Sequence, residues 1–300
     1  MFFSPHTRPR ICRHSLAIAA GIALASFASH ATDAEQKPAP DELTTAATPW
    51  SMVLGGAIIS SPVYSGSNER EIKLRPLWAL QYGRFRFAPS RAGAMLGASG
   101  GDNSAQSLGA SIDLFSAARI TGGVAMRVDP KRKSSDNERL TGLPDIQATL
   151  RARAYAGYKI TERWSLSAGV SQDILGRDGG GLANIDLSYS GRITPNVGWS
   201  VGTGMTYGDA TYMKTHYGIS QETSARTERA AYAPGAGVRD ISIGGSLNVR
   251  FAPRWFGFVS AGVSQLQGGA ADSPLTASKQ SVGASIGVGY RFGPMTDAKR

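Results

Sequence analysis

The sequence predicts a transmembrane antiparallel β-barrel of about 12 strands, an all-β fold, from three observations: a recurring two-residue hydrophobic period, alternating short and long connections, and an N-terminal export signal. The period is clearest near the C-terminus. Val282, Ala284, Ile286, Val288, Tyr290 and Phe292 are apolar, whereas Ser281, Gly283, Ser285, Gly287, Gly289 and Arg291 between them are small or polar. That stretch has the length of a tilted membrane-crossing strand. Lipid cannot satisfy an open sheet edge, so a set of such strands has to close.

Residues 1–31 have the three parts of a secretory signal: basic Arg8, Arg10 and Arg13, an apolar run from Leu16 to Phe27, and small Ser29 and Ala31 before the expected cleavage point. The apolar run is too short to span a bilayer as a helix. Cys12 lies inside the signal, so the mature chain is expected to carry no cysteine, which excludes disulfides, thiol nucleophiles and cysteine metal sites. Losing the signal removes three arginines and no carboxylate, leaving 29 basic against 22 acidic residues, a balance of +7. Anionic neighbours are expected, namely outer-membrane lipid and lipopolysaccharide, and nucleic acid is not expected for an exported chain.

Residues 32–49 are rich in Ala, Pro, Thr and charge without periodicity and read as a flexible periplasmic lead-in. The barrel is expected over 50–292, followed by a tail at 293–300. Strands are expected at about 50–60, 71–82, 84–99, 105–115, 118–128, 144–158, 162–172, 182–193, 197–208, 241–251, 254–265 and 280–292. The third contains Pro89 and Gly93 and reads as one strand or two. Short turns between these strands alternate with longer connections, the longest running from Asp209 to Asp240. In bacterial barrels the short turns face the periplasm and the longer loops the exterior, which puts both termini in the periplasm. Three short turns carry similar wording around Tyr158 to Trp164, Arg192 to Trp199 and Arg250 to Trp255, and their aromatic residues suit the headgroup layer.

The loops carry further strings: Pro62, Tyr64, Gly66 and Ser67; Leu140, Gly142, Leu143 and Asp145; Tyr217, Gly218 and Ile219; and Asp272, Ser273, Pro274 and Leu275. With Tyr290, Arg291 and Phe292 they occur in the order found in the MipA/OmpV family of outer-membrane proteins, which the chain resembles from about Trp50 to Phe292. The resemblance implies an outer-membrane scaffold for peptidoglycan-remodelling enzymes, with a murein hydrolase (a lytic transglycosylase) and a murein synthase as partners. Read physically, Gly66, Gly142 and Pro274 are also turn formers.

Strand parity directs nine arginines inward: Arg84, Arg86, Arg119, Arg127, Arg151, Arg153, Arg192, Arg250 and Arg291, with Lys73 and Arg75 beside them. The inward acids are fewer, Glu71, Asp113, Asp145 and Asp186. An open lumen so lined would prefer anions, and this narrow anion channel is the alternative to the scaffold. The competing reading is that the arginines pair with acids and fill the lumen.

Enzyme chemistry finds little support. Cleavage after Ala31 leaves His216 as the one histidine, and no Gly-x-Ser-x-Gly elbow is present. Gly179, Gly180 and Gly181 lack the lysine and helix of a phosphate cradle and suit a hairpin loop. No cofactor or metal is expected. The expectation is therefore a monomeric, non-enzymatic barrel in the Gram-negative outer membrane.

Overall fold

A computed structural model of the chain describes residues 50–89 and 108–293. The expected signal, the lead-in, residues 294–300 of the tail and the upper part of the third strand lie outside the described residues. Twelve strands form one closed barrel: β1 (Trp50–Pro62), β2 (Arg70–Tyr82), β3 (Phe85–Pro89), β4 (Leu108–Ser116), β5 (Ile120–Asp129), β6 (Thr149–Lys159), β7 (Trp164–Asp173), β8 (Gly181–Thr194), β9 (Val197–Gly208), β10 (Gly237–Arg250), β11 (Trp255–Leu266) and β12 (Gln280–Phe292). Every neighbour in sequence is an antiparallel neighbour in the sheet, and β1 closes on β12 from Met52 opposite Phe292 to Ser60 opposite Ala284. No edge is left to satisfy, as lipid requires. No helix among the described residues is long and apolar enough to cross a membrane.

The two-residue period sorts the faces as the sequence implied. Ile58, Leu74, Val170, Ile243 and Ile286 are exposed on the outside, up to 79% for Leu74, whereas Val53 and Ser285, of opposite parity in β1 and β12, are buried inside. Large exposed hydrophobics at such density require a nonaqueous neighbour, and a bilayer supplies it. At the short-turn end the outward rings form a girdle. Tyr189 lies 4.8 Å from Trp164 and 5.5 Å from Trp199, and Tyr290 lies 5.1 Å from Trp255 and 4.6 Å from Phe292, measured between ring centroids.

Inside that end the wall is apolar. Val53, Leu77, Ala79 and Ala88 pack with Phe256 and Phe258. Glycine makes this possible: a Cβ on Gly287 would sit 2.4 Å from the Phe258 ring, and one on Gly289 2.7 Å from the Phe256 ring. Elsewhere the inner wall pairs hydroxyls across strands, as in Ser260 with Ser285 at 2.7 Å and Ser200 with Ser246 at 2.9 Å.

The structure differs from the sequence reading in places, and β10 begins at Gly237 rather than near 241. β6 starts at Thr149 rather than near 144, because Ile146 is engaged with Arg132 in an isolated bridge that closes the long loop before the ladder begins. The longest connection is folded, carrying α1 (Ala210–Tyr217) and α2 (Gln221–Thr227), and a further short helix, α3 (Gly268–Ala271), lies in the last loop. Asp209 caps α1 through the Tyr212 amide, and Ser220 caps α2 through that of Thr223.

Candidate functional site: a loop cap and its arginines

The loop strings that stand far apart in sequence meet at one end of the barrel. Tyr64 from the β1–β2 loop donates its hydroxyl to the Leu275 carbonyl at 2.9 Å across 211 residues of chain, and Ser65 bonds the Tyr217 hydroxyl at 2.8 Å. Ser273 in turn donates to the Tyr217 carbonyl at 2.6 Å and accepts the Leu275 amide at 3.2 Å. Tyr64, Leu140, Leu143, Ile219 and Leu275 form one buried cluster, with Val63 and Tyr232 packed against it. A second cluster joins Tyr212, Met213 and Tyr217 of α1 to Ala270, Ala271 and Leu266, with Leu182 against it. Tyr217 is 1% exposed and Met213 0%, values of a protein core rather than of a solvated loop.

Turn residues shape the rest. Gly66 has φ +101° and its carbonyl accepts the amides of Ala277 and Ser278, so this position both needs the left-handed region and joins the first loop to the last. Gly142 has φ +83°. Ser67 is buried and accepts the Glu69 amide at 3.0 Å. Gly218 ends α1, its amide bonding the Lys214 carbonyl at 2.8 Å. Pro62 closes β1, while Pro274 lies in the tight turn in which the Thr276 amide bonds the Ser273 carbonyl. Asp272 pairs with Lys279 at 3.1 Å. Asp145 lies in the loop before β6, not on the inner wall, and accepts the Ser134 amide at 2.7 Å, which holds its carboxyl below the usual range.

The arginines divide by position. Arg151 is 3% exposed and fully engaged: its Nε donates to Asp129 at 2.9 Å, and its Nη atoms donate to the carbonyls of Gly180 and Gly179 at 2.8 Å each. It also stands 5.7 Å from the centre of the Tyr212 ring, as does Arg239, which donates to the Tyr212 hydroxyl at 2.9 Å. Both grip α1 by hydrogen bonding and by the attraction of a cation to a ring face. The Gly179–Gly181 stretch is thus the hairpin loop its sequence suggested, and Gly180 has φ +59° with no room for a Cβ, which would lie 2.3 Å from the Tyr212 amide nitrogen. Arg86 pairs with Asp113 at 2.7 Å, and Tyr155 donates to the same carboxylate at 2.6 Å. Arg153 is buried against Gly169, and Arg127 is half-buried one strand away. Lys73 pairs with Glu71 at 2.5 Å. Arg84 and Arg119 lie in turns, exposed, and Arg192, Arg250 and Arg291 are exposed near the short-turn ends of their strands.

His216 packs within the loop cap. Its ring stacks on Tyr212 at 4.2 Å, and its carbonyl accepts from Arg132 at 2.9 Å. Loss of solvation, then the charges of Arg132, Arg239 and Arg151, hold its pKa well below the ordinary value. Burial likewise lowers Arg132 and raises the phenols of Tyr64 and Tyr217. Among the described residues no group of His, Cys, Asp or Glu is gathered to hold a metal ion.

The sequence reading missed Arg239, Leu182 and Leu266, which sit near strand ends and help assemble the cap. The Asp209 and Ser220 caps were the legible signal for the helices.

The chain matches the family model described as MltA-interacting protein MipA over residues 54–292. No curated protein matches it. Among solved structures it is similar to the NanC porin at 9% identity and TM-score 0.40, over 80% of this chain and 98% of that one. An outer-membrane channel from Pseudomonas putida F1 matches at 12% identity and TM-score 0.43, over 86% and 100% of the respective chains, and the KdgM porin at 8% and 0.39, over 80% and 99%.

Proposed function

The chain belongs to the MltA-interacting protein MipA family, and from that premise we propose that it is a closed outer-membrane barrel serving as a platform for murein-remodelling enzymes rather than a solute pore. The observation that carries this reading is the cap: four loops share a buried core over the barrel mouth, and Arg151 is consumed in holding it. A lumen built to pass anions would present its cations to solvent instead. The family's description, an MltA-interacting protein, supports a murein hydrolase as the partner. Such a partner works in the periplasm, so the parts that reach it are the short turns, the segment 32–49 and the tail 293–300 that follow export and cleavage after Ala31. The anion channel retains supporting observations: Lys73 on the inner face of β2 is half-exposed, and Arg192, Arg250 and Arg291, of inward parity, are exposed.

Affinity capture from envelope extracts tests the platform. The full chain should retain a murein hydrolase, and deletion of 32–49 and 294–300 with the barrel intact should abolish retention. Unchanged capture after both deletions would leave only the short turns, too small a surface for a stable interface, and would count against the platform.

A further inference from the structure

The two ends of the barrel differ in charge. At the long-loop end cations and carboxylates are interspersed and paired, as in Arg151 with Asp129, Arg239 with Asp240, Lys279 with Asp272 and Arg226 with Glu222. At the short-turn end the cations stand almost without acids. The β2–β3 turn contributes Arg84, the β4–β5 turn Arg119, the β6–β7 turn Arg163 and the β10–β11 turn Arg254, all exposed, whereas Arg192 and Arg250, opposite Gly198 and Phe256 in the ladder, stand on the inner face. Glu162 is the one carboxylate in the described turns of that end.

These cations sit at a defined height. Arg163 donates to the Tyr189 hydroxyl at 3.2 Å, and Tyr189 lies between the rings of Trp164 and Trp199. Arg254 directly precedes Trp255 and Lys159 directly follows Tyr158. Tyrosine and tryptophan on a membrane barrel mark the headgroup layer, so the guanidinium groups beside them stand at the level of lipid phosphates.

We propose that this rim is a ring of anionic-phospholipid sites: each guanidinium engages a headgroup phosphate of the leaflet at the short-turn end, and the ring gathers anionic lipid around the barrel. Anionic phospholipid is the occupant favoured over an acidic protein because the cations are spread around the circumference at girdle height. A protein would need them on one contiguous face. Guanidinium suits phosphate by its fork of donors. The proposal does not depend on the platform reading.

The test is native mass spectrometry of the full chain released from vesicles of mixed phosphatidylglycerol and phosphatidylcholine. The wild type should retain phosphatidylglycerol about fivefold or more above its share, roughly the factor one interfacial cation supplies. The variant Arg84→Gln, Arg119→Gln, Arg163→Gln, Arg254→Gln should lose that preference, and the same four positions changed to Lys should largely keep it. Changing Lys131, Lys133 and Arg226 of the long loops to Gln should leave it intact, and inorganic phosphate should not compete. A wild type without preference, a glutamine variant that keeps it, or a long-loop variant that loses it would overturn the proposal. Should the fourfold variant fail to fold by its heat-dependent gel shift, Arg163→Gln and Arg254→Gln scored singly decide the matter: each should reduce retention.

Discussion

His216 reports on the cap through its charge. Its pKa in the folded loop lies well below the ordinary 6.5, while in an opened loop it returns to that value. The opened state therefore binds the proton more readily. Cap stability is fully present above about pH 6.5 and falls as the pH drops below it, until the folded-state value is reached. Burial sets this first, then the charges of Arg132, Arg239 and Arg151, with the Tyr212 ring stacked on the imidazole. Hydrogen exchange should show protection factors over 210–217 falling between about pH 7 and 5, and His216→Gln should flatten that dependence. A profile identical in both proteins would mean that His216 does not couple to the cap. Arg151 makes a second case at this scale: Arg151→Met strands the Gly179 and Gly180 carbonyls, and a loss of about 3–5 kcal/mol is expected in a folding titration.

Along one strand, β12 separates what a sequence reveals from what it hides. Ile286 is 55% exposed on the outer face, and Ile286→Arg should cost about 2–4 kcal/mol in a lipid folding titration because it sets a charge near midplane. Parity alone predicts this. Parity also suggests that the inward glycines tolerate small polar residues, and the structure overturns that at Gly287, where a Cβ would meet the Phe258 ring at 2.4 Å and the Gly56 carbonyl at 2.9 Å. Gly287→Ser should therefore lose about 1–3 kcal/mol, whereas Gly198→Ser, whose Cβ would meet nothing nearer than 3.8 Å, should be nearly neutral. Equal effects would show that the ring repacks. The strand pattern was legible because a two-residue period is local, and twelve strands and their connections follow from it. The cap was not, because its contacts, such as Tyr64 with Leu275, join residues that no local period relates. The resemblance named Tyr64, Ser273 and Tyr217 without saying that they touch. The inward direction of Arg151 and Arg153 was readable from parity, but the Gly179 and Gly180 carbonyls that occupy Arg151 come from a loop whose fold the sequence left open.

For the molecule as a whole, the question is whether anything passes through it. On the proposed reading the loop cap is the barrier at the long-loop end, and the Val53, Leu77, Phe256 and Phe258 packing on the inner wall is a second one at the other. Between them the inner wall carries Lys73 and Arg86, charges that would favour anions if water were continuous. In planar bilayers the wild type should therefore stay near baseline. Replacing 210–230 by a short Gly-Ser linker removes α1 and α2, while the β9–β10 ladder, paired from Gly237 opposite Gly208, is kept. If the cap is the barrier, that variant should open in discrete steps with anion preference, and the preference should rise as salt is lowered because screening weakens. If it folds yet remains silent, the apolar cluster at the short-turn end is the second barrier, and adding Phe256→Ala and Phe258→Ala should open it. A wild type that already conducts as strongly as the deletion would show that the cap is no barrier, and the channel reading would replace the platform.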